Sequence, residues 1–382
     1  MRRTLFSDEH DTYRESFRRF LAEEAVPHHG EWESAGIVPR DLYARAADHG
    51  FAAMAVPEKY GGAGVEDFRF NAILGEEAAL AQVPGFGLGL TLNNDVCLPY
   101  LLSHATDAQK ERWLPGISRG KLILAIAMTE PGTGSDLASI KTTAARHDRH
   151  YRLNGSKTFI TNGINADLVI TAVKTDPTQR HRGISLVVLE RGMAGFERGR
   201  NLEKIGQHAQ DTAELFFTDL EVPLDNLLGE EGEGFRYLVS NLAQERLSIA
   251  IGALAAARAG LAQTLEYVKQ REAFGQAIGA FQNSRFRLAE CHAEIEVEQA
   301  HLDACIAALL EGDLGAEDAA IAKWACTELQ GRVLDRCLQL HGGYGYMSEY
   351  PIARAWVDAR ATRIFGGTNE IMREIVGRSL GL

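Results

Sequence analysis

The stretch L-I-L-A-I-A-M-T-E-P-G-T-G-S-D at 122–136 marks the point where the hydrophobic pattern of this chain changes. It begins as a short apolar run and ends in a segment rich in glycine and hydroxyl side chains. An apolar run that is this short and is bounded by turn residues is typical of a buried β-strand. We therefore predict that a β region begins here.

The strand pattern continues beyond this stretch. Apolar runs at 168–173 and 184–189 are bounded by Gly, Asn, Asp and Pro, and the pair Asn154-Gly155 predicts a hairpin turn. The β region extends to about residue 228, and these features are typical of an antiparallel sheet.

On both sides of the β region the spacing is helical. Before it, Phe6, Tyr13, Phe17 and Phe20 recur at helical spacing, and after Gly234 long uninterrupted helical stretches appear at 235–270 and 284–310. The order helical, β, helical argues against a sheet of βαβ units. The chain therefore reads as an α+β protein with three domains, which we place at 1–120, 121–228 and 229–382.

The composition of the chain indicates which binding partners and which cellular compartment to expect. The 382 residues carry a formal charge of -12, which argues against nucleic acid or an anionic membrane surface as a partner. The five cysteines lack C-x-x-C spacing and are expected to be reduced core residues. No run approaches 18 apolar residues, so no membrane span is expected. Because no signal or transit segment is recognised at the start, we expect a cytoplasmic protein, most simply of the bacterial cytosol.

Several common sites are absent from the sequence. It has no G-x-G-x-x-G after a strand, no metal-ligand spacing of His and Cys, and no G-x-S-x-G elbow, so no metal is expected. Four loops rich in glycine and hydroxyl residues remain, at 129–136, 159–163, 339–345 and 365–370. Each could be a structural turn or a loop that binds a ligand, and the residues alone do not name that ligand.

Five motifs give the chain a resemblance to a known family. They are T-E-P-G-T-G-S-D at 129–136, F-I-T-N-G at 159–163, Q-R-E-A-F-G-Q at 270–276, Q-L-H-G-G-Y-G-Y at 339–346 and F-G-G-T-N-E at 365–370. In this order they resemble the acyl-CoA dehydrogenase family, and most closely its long-chain and isovaleryl branches. The resemblance implies an N-terminal helical domain, a central antiparallel β-barrel-like domain and a C-terminal four-helix bundle.

The resemblance also implies a reaction. Members of the family use FAD to convert a fatty acyl-CoA thioester to the trans-2-enoyl-CoA, and they pass electrons to an electron-transfer flavoprotein. We expect a medium-chain, long-chain or branched acyl group and a homotetramer. The residues that would bind the cofactor are Met128, Thr129, Gly134, Ser135, Phe159, Thr161, Arg271, Phe274, Gln282, Gln339, Gly343, Thr368 and Glu370.

Two of these positions carry further implications. Many relatives have Trp where this chain has Phe159, so the contact with the isoalloxazine ring would be similar but smaller. Arg271 and Phe274 match residues that reach the FAD of a neighbouring subunit. Arginine suits a phosphate contact because its planar fork can bond two oxygens at once.

A departure from the commoner family motif predicts which residue is the catalytic base. Most short- and medium-chain relatives place a catalytic Glu where this chain has Gly366, whereas the long-chain and isovaleryl branches place it in an E-R-L context, which here is Glu245-Arg246-Leu247. Glu245 interrupts an apolar helical stripe, so burial should raise its pKa. From the residues alone, a core glutamate paired with an arginine is the favoured interpretation, because structural ion pairs also perturb carboxylates. The resemblance makes Glu245 the base and gives the Gly366 N–H, with a flavin ribityl hydroxyl, the role of binding the thioester oxygen.

The same resemblance implies a substrate pocket and leaves other functions open. The residues that would line the pocket are Ser135, Leu242, Arg246, Phe365, Gly366 and Gly367. An acyl-CoA oxidase or an acyl-carrier-protein dehydrogenase would share this site. A flavin monooxygenase or nitroalkane oxidase would not need the E-R-L glutamate. A catalytically inactive protein that binds flavin or CoA is the alternative from a different class.

Overall fold

A computed structural model describes residues 3–382 of the chain. The N-terminal part is helical. Its helices are α1 (Asp8–Phe20), α2 (His29–Ala35), α3 (Arg40–Asp48), α4 (Phe68–Leu80), α5 (Pro84–Thr91), α6 (Leu98–His104) and α7 (Asp107–Ser118). Helix α7 begins at a capping box, in which the Thr106 hydroxyl accepts from the Gln109 N–H and the Gln109 side chain accepts from the Thr106 N–H.

A π-helical segment, Leu92–Cys97, joins α5 to α6 without a break. Such a segment usually marks an inserted residue and is often found at functional sites. It carries the buried side chains Asn94 and Asp95 and lies one turn before Tyr100. The segment therefore determines which way the first turn of α6 faces.

The middle of the chain forms one eight-stranded sheet. Its strands are β1 (Leu124–Ala127), β2 (Thr143–Arg146), β3 (His150–Thr161), β4 (Leu168–Lys174), β5 (Ile184–Glu190), β6 (Phe196–Asn201), β7 (Thr212–Pro223) and β8 (Leu227–Leu228). The strand order is β6-β7-β3-β2-β4-β5-β8, with β1 also paired to β4. The sheet is barrel-like but does not close. Its pairings are antiparallel except that β1 and β2 each run parallel to β4.

Strand β3 carries two irregularities against β7. The first lies between Leu153 and Gly155, so the predicted hairpin turn at Asn154-Gly155 is wrong: the pair lies inside the strand. Gly155 has φ +146°, and a Cβ there would lie within 3 Å of Thr142, so β3 passes very close to Thr142 at this point. The second lies between Lys157 and Ile160 and leaves Phe159 with φ +60°.

The C-terminal part is again helical and holds three long helices and two short ones. They are α8 (Gly234–Gln270), α9 (Gln282–Glu311), α10 (Ala316–His341), α11 (Pro351–Asp358) and α12 (Asn369–Ser379), with a small hairpin of β9 (Glu272–Ala273) and β10 (Gln276–Ala277) after α8. Among the described helices, α8 alone is long and apolar enough to cross a membrane, but 61% of its most apolar window is buried inside the protein. All five cysteines are buried and none forms a disulfide, as predicted.

The three parts share one apolar cluster. It joins Tyr100 and Trp113 of the N-terminal helices, Leu186 and Val188 of the sheet, and Leu238 of α8. The N-terminal half of α8 therefore lies where the helical and β layers meet, and this is the stretch that carries Glu245.

Candidate active site

Glu245 lies on α8 with only 5% of its surface exposed. Its Oε1 accepts a hydrogen bond of 2.7 Å from the Tyr100 hydroxyl and one of 3.1 Å from the Asn241 side-chain amide. Asn241 is one turn earlier on the same helix, whereas Tyr100 comes from α6. The carboxyl group is therefore fixed from two elements through one of its oxygens.

Burial raises the pKa of Glu245, as the sequence predicted, while the hydrogen bonds from Tyr100 and Asn241 and the charge of Arg246 oppose that rise. Burial likewise lowers the pKa of Arg246, although Glu245 opposes the change. The Nε of Arg246 is buried and has no hydrogen-bond partner within the described residues. A raised pKa suits a carboxylate that must take a proton from carbon.

Gly366 packs against the same face of α8 as Glu245. A Cβ at position 366 would lie 2.3 Å from Cδ1 of Ile249, which follows Glu245 by one helical turn, and Gly366 has φ +64°. Residues four apart on a helix have Cβ atoms about 5–6 Å apart. The structure therefore brings together the two predicted catalytic residues, and a side chain at 366 would have to displace the Cδ1 end of Ile249.

Lys323 of α10 holds the loop that contains Gly366. Its fully buried ammonium donates 2.8 Å to the Gly367 carbonyl and 2.9 Å to Oδ1 of Asn369. Burial lowers its pKa to about 8, and Arg246 adds to that effect. Next in the chain, Thr368 caps α12 by accepting from the N–H of Ile371. The loop is thus held from α10 and by its own helix cap.

Three further predicted pocket residues lie on α8 or in this loop. Leu242 is half-buried one turn before Glu245, and Phe365 and Gly367 are half-buried beside Gly366. Glu370 is exposed in the first turn of α12, where its own backbone N–H and the Thr368 hydroxyl lower its pKa. Phe365, Gly367 and Glu370 thus lie along one segment that contacts α8 at Ile249 and α10 at Lys323.

A buried ion pair fixes the loop at 129–136. Lys157 of β3 is fully buried and donates to the Met128 carbonyl at 3.0 Å and to Oε1 of Glu130 at 2.9 Å. Glu130 also accepts from two backbone N–H groups farther along the chain. The N–H of Thr158 donates to the Thr129 carbonyl at 2.9 Å. The structure therefore brings Met128 and Thr129 beside the end of β3.

The end of β3 presents an unusual surface. Phe159 has 68% of its surface exposed although it lies in a strand, and Thr161 is half-buried at the strand end. Gly134 and Ser135 are exposed in the adjacent loop, and a Cβ at Gly134 would meet nothing within 4 Å. An exposed ring next to an open glycine loop can receive a planar group and polar atoms attached to it.

A third group of predicted cofactor residues lies at the opposite end of the long helices. Arg271 follows α8 directly, and its guanidinium lies 5.7 Å from the ring centroid of Tyr344. Phe274 of the small hairpin is 97% exposed, with φ +51°. The others in this group are Gln282, Gln339 and Gly343, all exposed.

One copy of the chain does not bring this third group to Glu245. From Glu245 to Arg271 the helix advances 26 residues, which at 1.5 Å per residue is about 39 Å. Apart from Thr368 and Glu370, which lie next to Gly366, the predicted cofactor residues thus form two sets, one around Phe159 and one around Arg271 at the far end of α8.

The two sets fit FAD. A flat ring system needs an aromatic face, and both Phe159 and Phe274 offer one that the chain itself leaves uncovered. Phosphate needs open backbone and cations, and these are present at Gly134, at Gly343, where a Cβ meets nothing within 4 Å, and at Arg271. Residues from both sets would hold the cofactor.

Reasoning from the sequence missed Tyr100, Asn241, Lys323 and the pair Lys157–Glu130. Asn241 precedes Glu245 by four residues, so helical spacing could have found it. Lys323 interrupts an apolar stripe of α10 in the way that Glu245 interrupts one of α8. Tyr100 gives no local signal, because it lies 145 residues away in the chain from its partner.

The chain is similar to known proteins in its domains, its sequence and its structure. Residues 7–121 match the N-terminal domain of acyl-CoA dehydrogenases, 125–220 the middle domain and 232–381 the C-terminal domain. The chain is 47% identical over 380 residues to the mitochondrial long-chain specific acyl-CoA dehydrogenase of Mus musculus, which covers 99% of this chain and 88% of that one.

Two further matches agree. The chain is 34% identical over 378 residues to the mitochondrial isovaleryl-CoA dehydrogenase of Oryza sativa subsp. japonica, covering 98% of this chain and 92% of that one. An acyl-CoA dehydrogenase structure from Geobacillus kaustophilus superposes with a TM-score of 0.96 at 49% identity and covers 99% of both chains.

Proposed function

The chain belongs to the acyl-CoA dehydrogenase family, and we propose that Glu245 is the base that removes the α-proton of its acyl thioester. It is a FAD-dependent oxidoreductase that acts on a CH–CH bond. The observation that carries the proposal is the pairing of a buried carboxylate at 245 with a glycine at 366 on the same face of α8.

Glu245 has the properties that proton abstraction requires. It is buried, so its conjugate acid is stabilised relative to the charged form, and its Oε1 is held by Tyr100 and Asn241. Arg246 neighbours it in the chain but leaves one nitrogen without a partner. The alternative of a core glutamate neutralised by an arginine is not favoured by this arrangement.

The loop around Gly366 supplies the complementary charge. Its backbone N–H donates to the thioester oxygen as negative charge develops there, which is the effect of an oxyanion hole. Lys323 keeps the loop in place through the Gly367 carbonyl. Bound FAD supplies the acceptor for the hydride that leaves Cβ.

The acyl group proposed for this site is a medium or long fatty chain. The greater identity to the long-chain relative, 47% against 34% for the isovaleryl relative, supports straight chains over branched ones. Branched thioesters remain part of the test because Gly366 contributes no side chain beside the reacting carbons. We propose an electron-transfer flavoprotein as the acceptor of the electrons, in the cytoplasm.

The cofactor site is proposed to be completed by a second copy of the chain. Within one copy, Arg271 is about 39 Å along α8 from Glu245, and Phe274 is 97% exposed beyond it. A symmetric pair of copies would bring the Arg271 end of one to the Phe159 end of the other. We propose a homotetramer, in which such a pair is repeated.

The test of the base is Glu245→Gln, which keeps the shape and the hydrogen bonds but removes the basic oxygen. We expect the variant to retain FAD and to bind acyl-CoA, while anaerobic bleaching of the flavin slows by at least about 10³-fold. Glu266→Gln is the matched control, because Glu266 lies on the same helix, is exposed and pairs only with Lys269. Near-normal bleaching by Glu245→Gln would refute the assignment.

Substrate and acceptor need separate measurements. Anaerobic titration of the flavin with straight acyl-CoAs from four to eighteen carbons, with branched thioesters and with an acyl-carrier-protein thioester, ranks the substrates. Transfer of electrons from the reduced enzyme to an electron-transfer flavoprotein, faster than to oxygen, is the expected outcome. Rapid formation of hydrogen peroxide in air would instead indicate an oxidase.

A further inference from the structure

Tyr100 is fully buried, with 1% of its surface exposed, and its hydroxyl points at the carboxylate of Glu245. The hydroxyl lies 2.7 Å from Glu245 Oε1 and 3.3 Å from the carbonyl oxygen of Leu238. A phenol has one proton to donate. The shorter contact, to an ionisable acceptor, is the stronger one, so that proton is directed to Glu245.

The other donor acts on the same oxygen. The side-chain amide of Asn241 donates to Oε1 at 3.1 Å, and among the hydrogen bonds of the described residues none involves Oε2. The two oxygens of the carboxylate therefore differ: Oε1 is held, and Oε2 is available. A base that removes a proton from carbon needs one oxygen that is fixed in direction and free of competing donors.

We propose that Tyr100 is a positioning residue for the base, holding Glu245 Oε1 so that Oε2 receives the α-proton of the substrate. The inference rests on the proposed function of Glu245 and adds a residue from the N-terminal helices to its site. In the step itself the α C–H bond breaks, the proton passes to Oε2, and the electron pair stays on the substrate. Tyr100 keeps its own proton throughout.

The groups around the carboxylate are consistent with this assignment. Tyr100 faces it from α6, Cys97 from the π-helical segment, and Asn241 and Arg246 from α8, with Lys323 of α10 behind Arg246. Burial and the charge of Glu245 hold the pKa of the Tyr100 hydroxyl well above its usual range, so it remains a donor. Burial and Glu245 also hold the pKa of the Cys97 thiol well above its usual value, so it stays neutral. Tyr100, Asn241 and Arg246 are thus the groups that oppose the effect of burial on Glu245.

The experiment is Tyr100→Phe in the FAD-loaded enzyme. The loss of one hydrogen bond to a charged carboxylate raises the pKa of that carboxyl by about one to two. We therefore expect the acid limb of the bleaching rate to move to higher pH by about that amount, because the lost donor stabilised the charged form. At the pH plateau we expect the rate to fall by about tenfold through loss of orientation.

A second readout does not depend on turnover. Infrared difference spectra recorded against pH, with Glu245→Gln as the blank, follow the carboxyl band of Glu245 directly, and the same upward shift is expected there. Asn241→Ala removes the other donor from a half-buried position and should shift both readouts in the same direction by less. It carries the test if Tyr100→Phe does not fold.

The matched control is Tyr43→Phe. Tyr43 is also buried, with 2% of its surface exposed, but its hydroxyl has no hydrogen-bond partner among residues 3–382, and Tyr43 belongs to a different apolar cluster from Tyr100. It should leave both pH profiles unchanged. The inference is overturned if Tyr100→Phe, or Asn241→Ala in its place, leaves the profiles where the wild type has them while Glu245→Gln is inactive. Bleaching by Glu245→Gln would instead overturn the proposed base, so the two failures are distinguishable.

Discussion

Gly366 and Ile249 are in contact across the gap between the C-terminal loop and α8, so that a Cβ on Gly366 would lie 2.3 Å from Cδ1 of Ile249. A side chain at 366 would therefore have to displace the Cδ1 end of Ile249, and the left-handed backbone at 366 (φ +64°) would strain any residue with a Cβ.

Gly366→Ala should therefore be costly, and Ile249→Val should relieve part of the cost. We expect the single alanine variant to lose about 1–2 kcal/mol of unfolding free energy from the left-handed backbone and a smaller amount from displacing the Cδ1 end of Ile249. Ile249→Val removes the clashing Cδ1 and alone costs about 0.5–1.5 kcal/mol. Denaturant unfolding of the two single variants and the double variant measures the coupling. Simple additivity would contradict the contact.

The buried charge of Glu245 should make the wild type less stable than Glu245→Gln at neutral pH. Burial raises the pKa of Glu245 above its ordinary value of 4.5, so between that value and the folded pKa the folded state binds more protons than the unfolded state. The contribution of Glu245 to stability is thus most favourable at acid pH and declines as the pH rises through that window. We expect the melting temperature of Glu245→Gln to exceed that of the wild type at pH 7 and the difference to shrink near pH 4. A pH-independent difference would be inconsistent with this linkage.

Lys323→Met should loosen the loop that carries Gly366. The substitution leaves the Gly367 carbonyl without its buried donor, which costs about 1–3 kcal/mol, and leaves Asn369 Oδ1 only the longer 3.3 Å hydrogen bond from the Thr327 hydroxyl. We expect the maximal bleaching rate to fall by about 10- to 100-fold because the oxyanion donor is no longer held.

The pH profile separates this effect from a general loss of stability. Burial lowers the pKa of Lys323 to about 8, so the ammonium loses its charge and its stronger hydrogen bonds as the pH rises through 8. The wild type should therefore slow near pH 8, whereas Lys323→Met should lack this alkaline limb. Lys269→Met is the control, since Lys269 is exposed and pairs only with Glu266. An alkaline limb that persists in Lys323→Met would rule out Lys323 as its source.

A mixing experiment tests whether one cofactor site uses residues from two copies. Phe159→Ala and Arg271→Ala should each weaken FAD binding in every site of a homo-oligomer. If the two residues meet across copies, refolding a 1:1 mixture leaves about a quarter of the sites with neither substitution. Recovery of about that fraction of wild-type FAD binding is expected. No recovery would mean that both residues serve the site of their own chain.

Much of the fold could be predicted from the sequence because the apolar residues of each part recur at the spacing of its own secondary structure. The change at 122–136, the strands at 168–173 and 184–189, and the long helices at 235–270 and 284–310 were all confirmed. Asn154-Gly155 failed because the pairing of β3 with β7 continues past a dipeptide that in isolation favours a turn. The domain boundaries at 120 and 228 stay predictions.

Only part of the candidate site could be predicted from the sequence. Glu245 could be named because it interrupts an apolar helical stripe. Gly366 could be named because it stands where the commoner family motif has a glutamate. Tyr100 could not, because a tyrosine in an apolar helix is ordinary and its contact with α8 exists only after the chain has folded. Lys157 and Glu130 were hidden for a related reason: 27 residues separate them, and only the sheet register brings them together.

The direction in which the Tyr100 side chain points depends on the number of residues in the π-helical segment Leu92–Cys97. One residue turns an α-helix by about 100°, so a helix that gains or loses a residue rotates everything after it by that angle. Deleting a residue from this segment would keep α6 helical and apolar yet turn the Tyr100 hydroxyl away from Glu245. A change in the length of this segment could thus give a family member, or take from it, the hydrogen bond between this tyrosine and its base. Every side chain of the active site would stay the same.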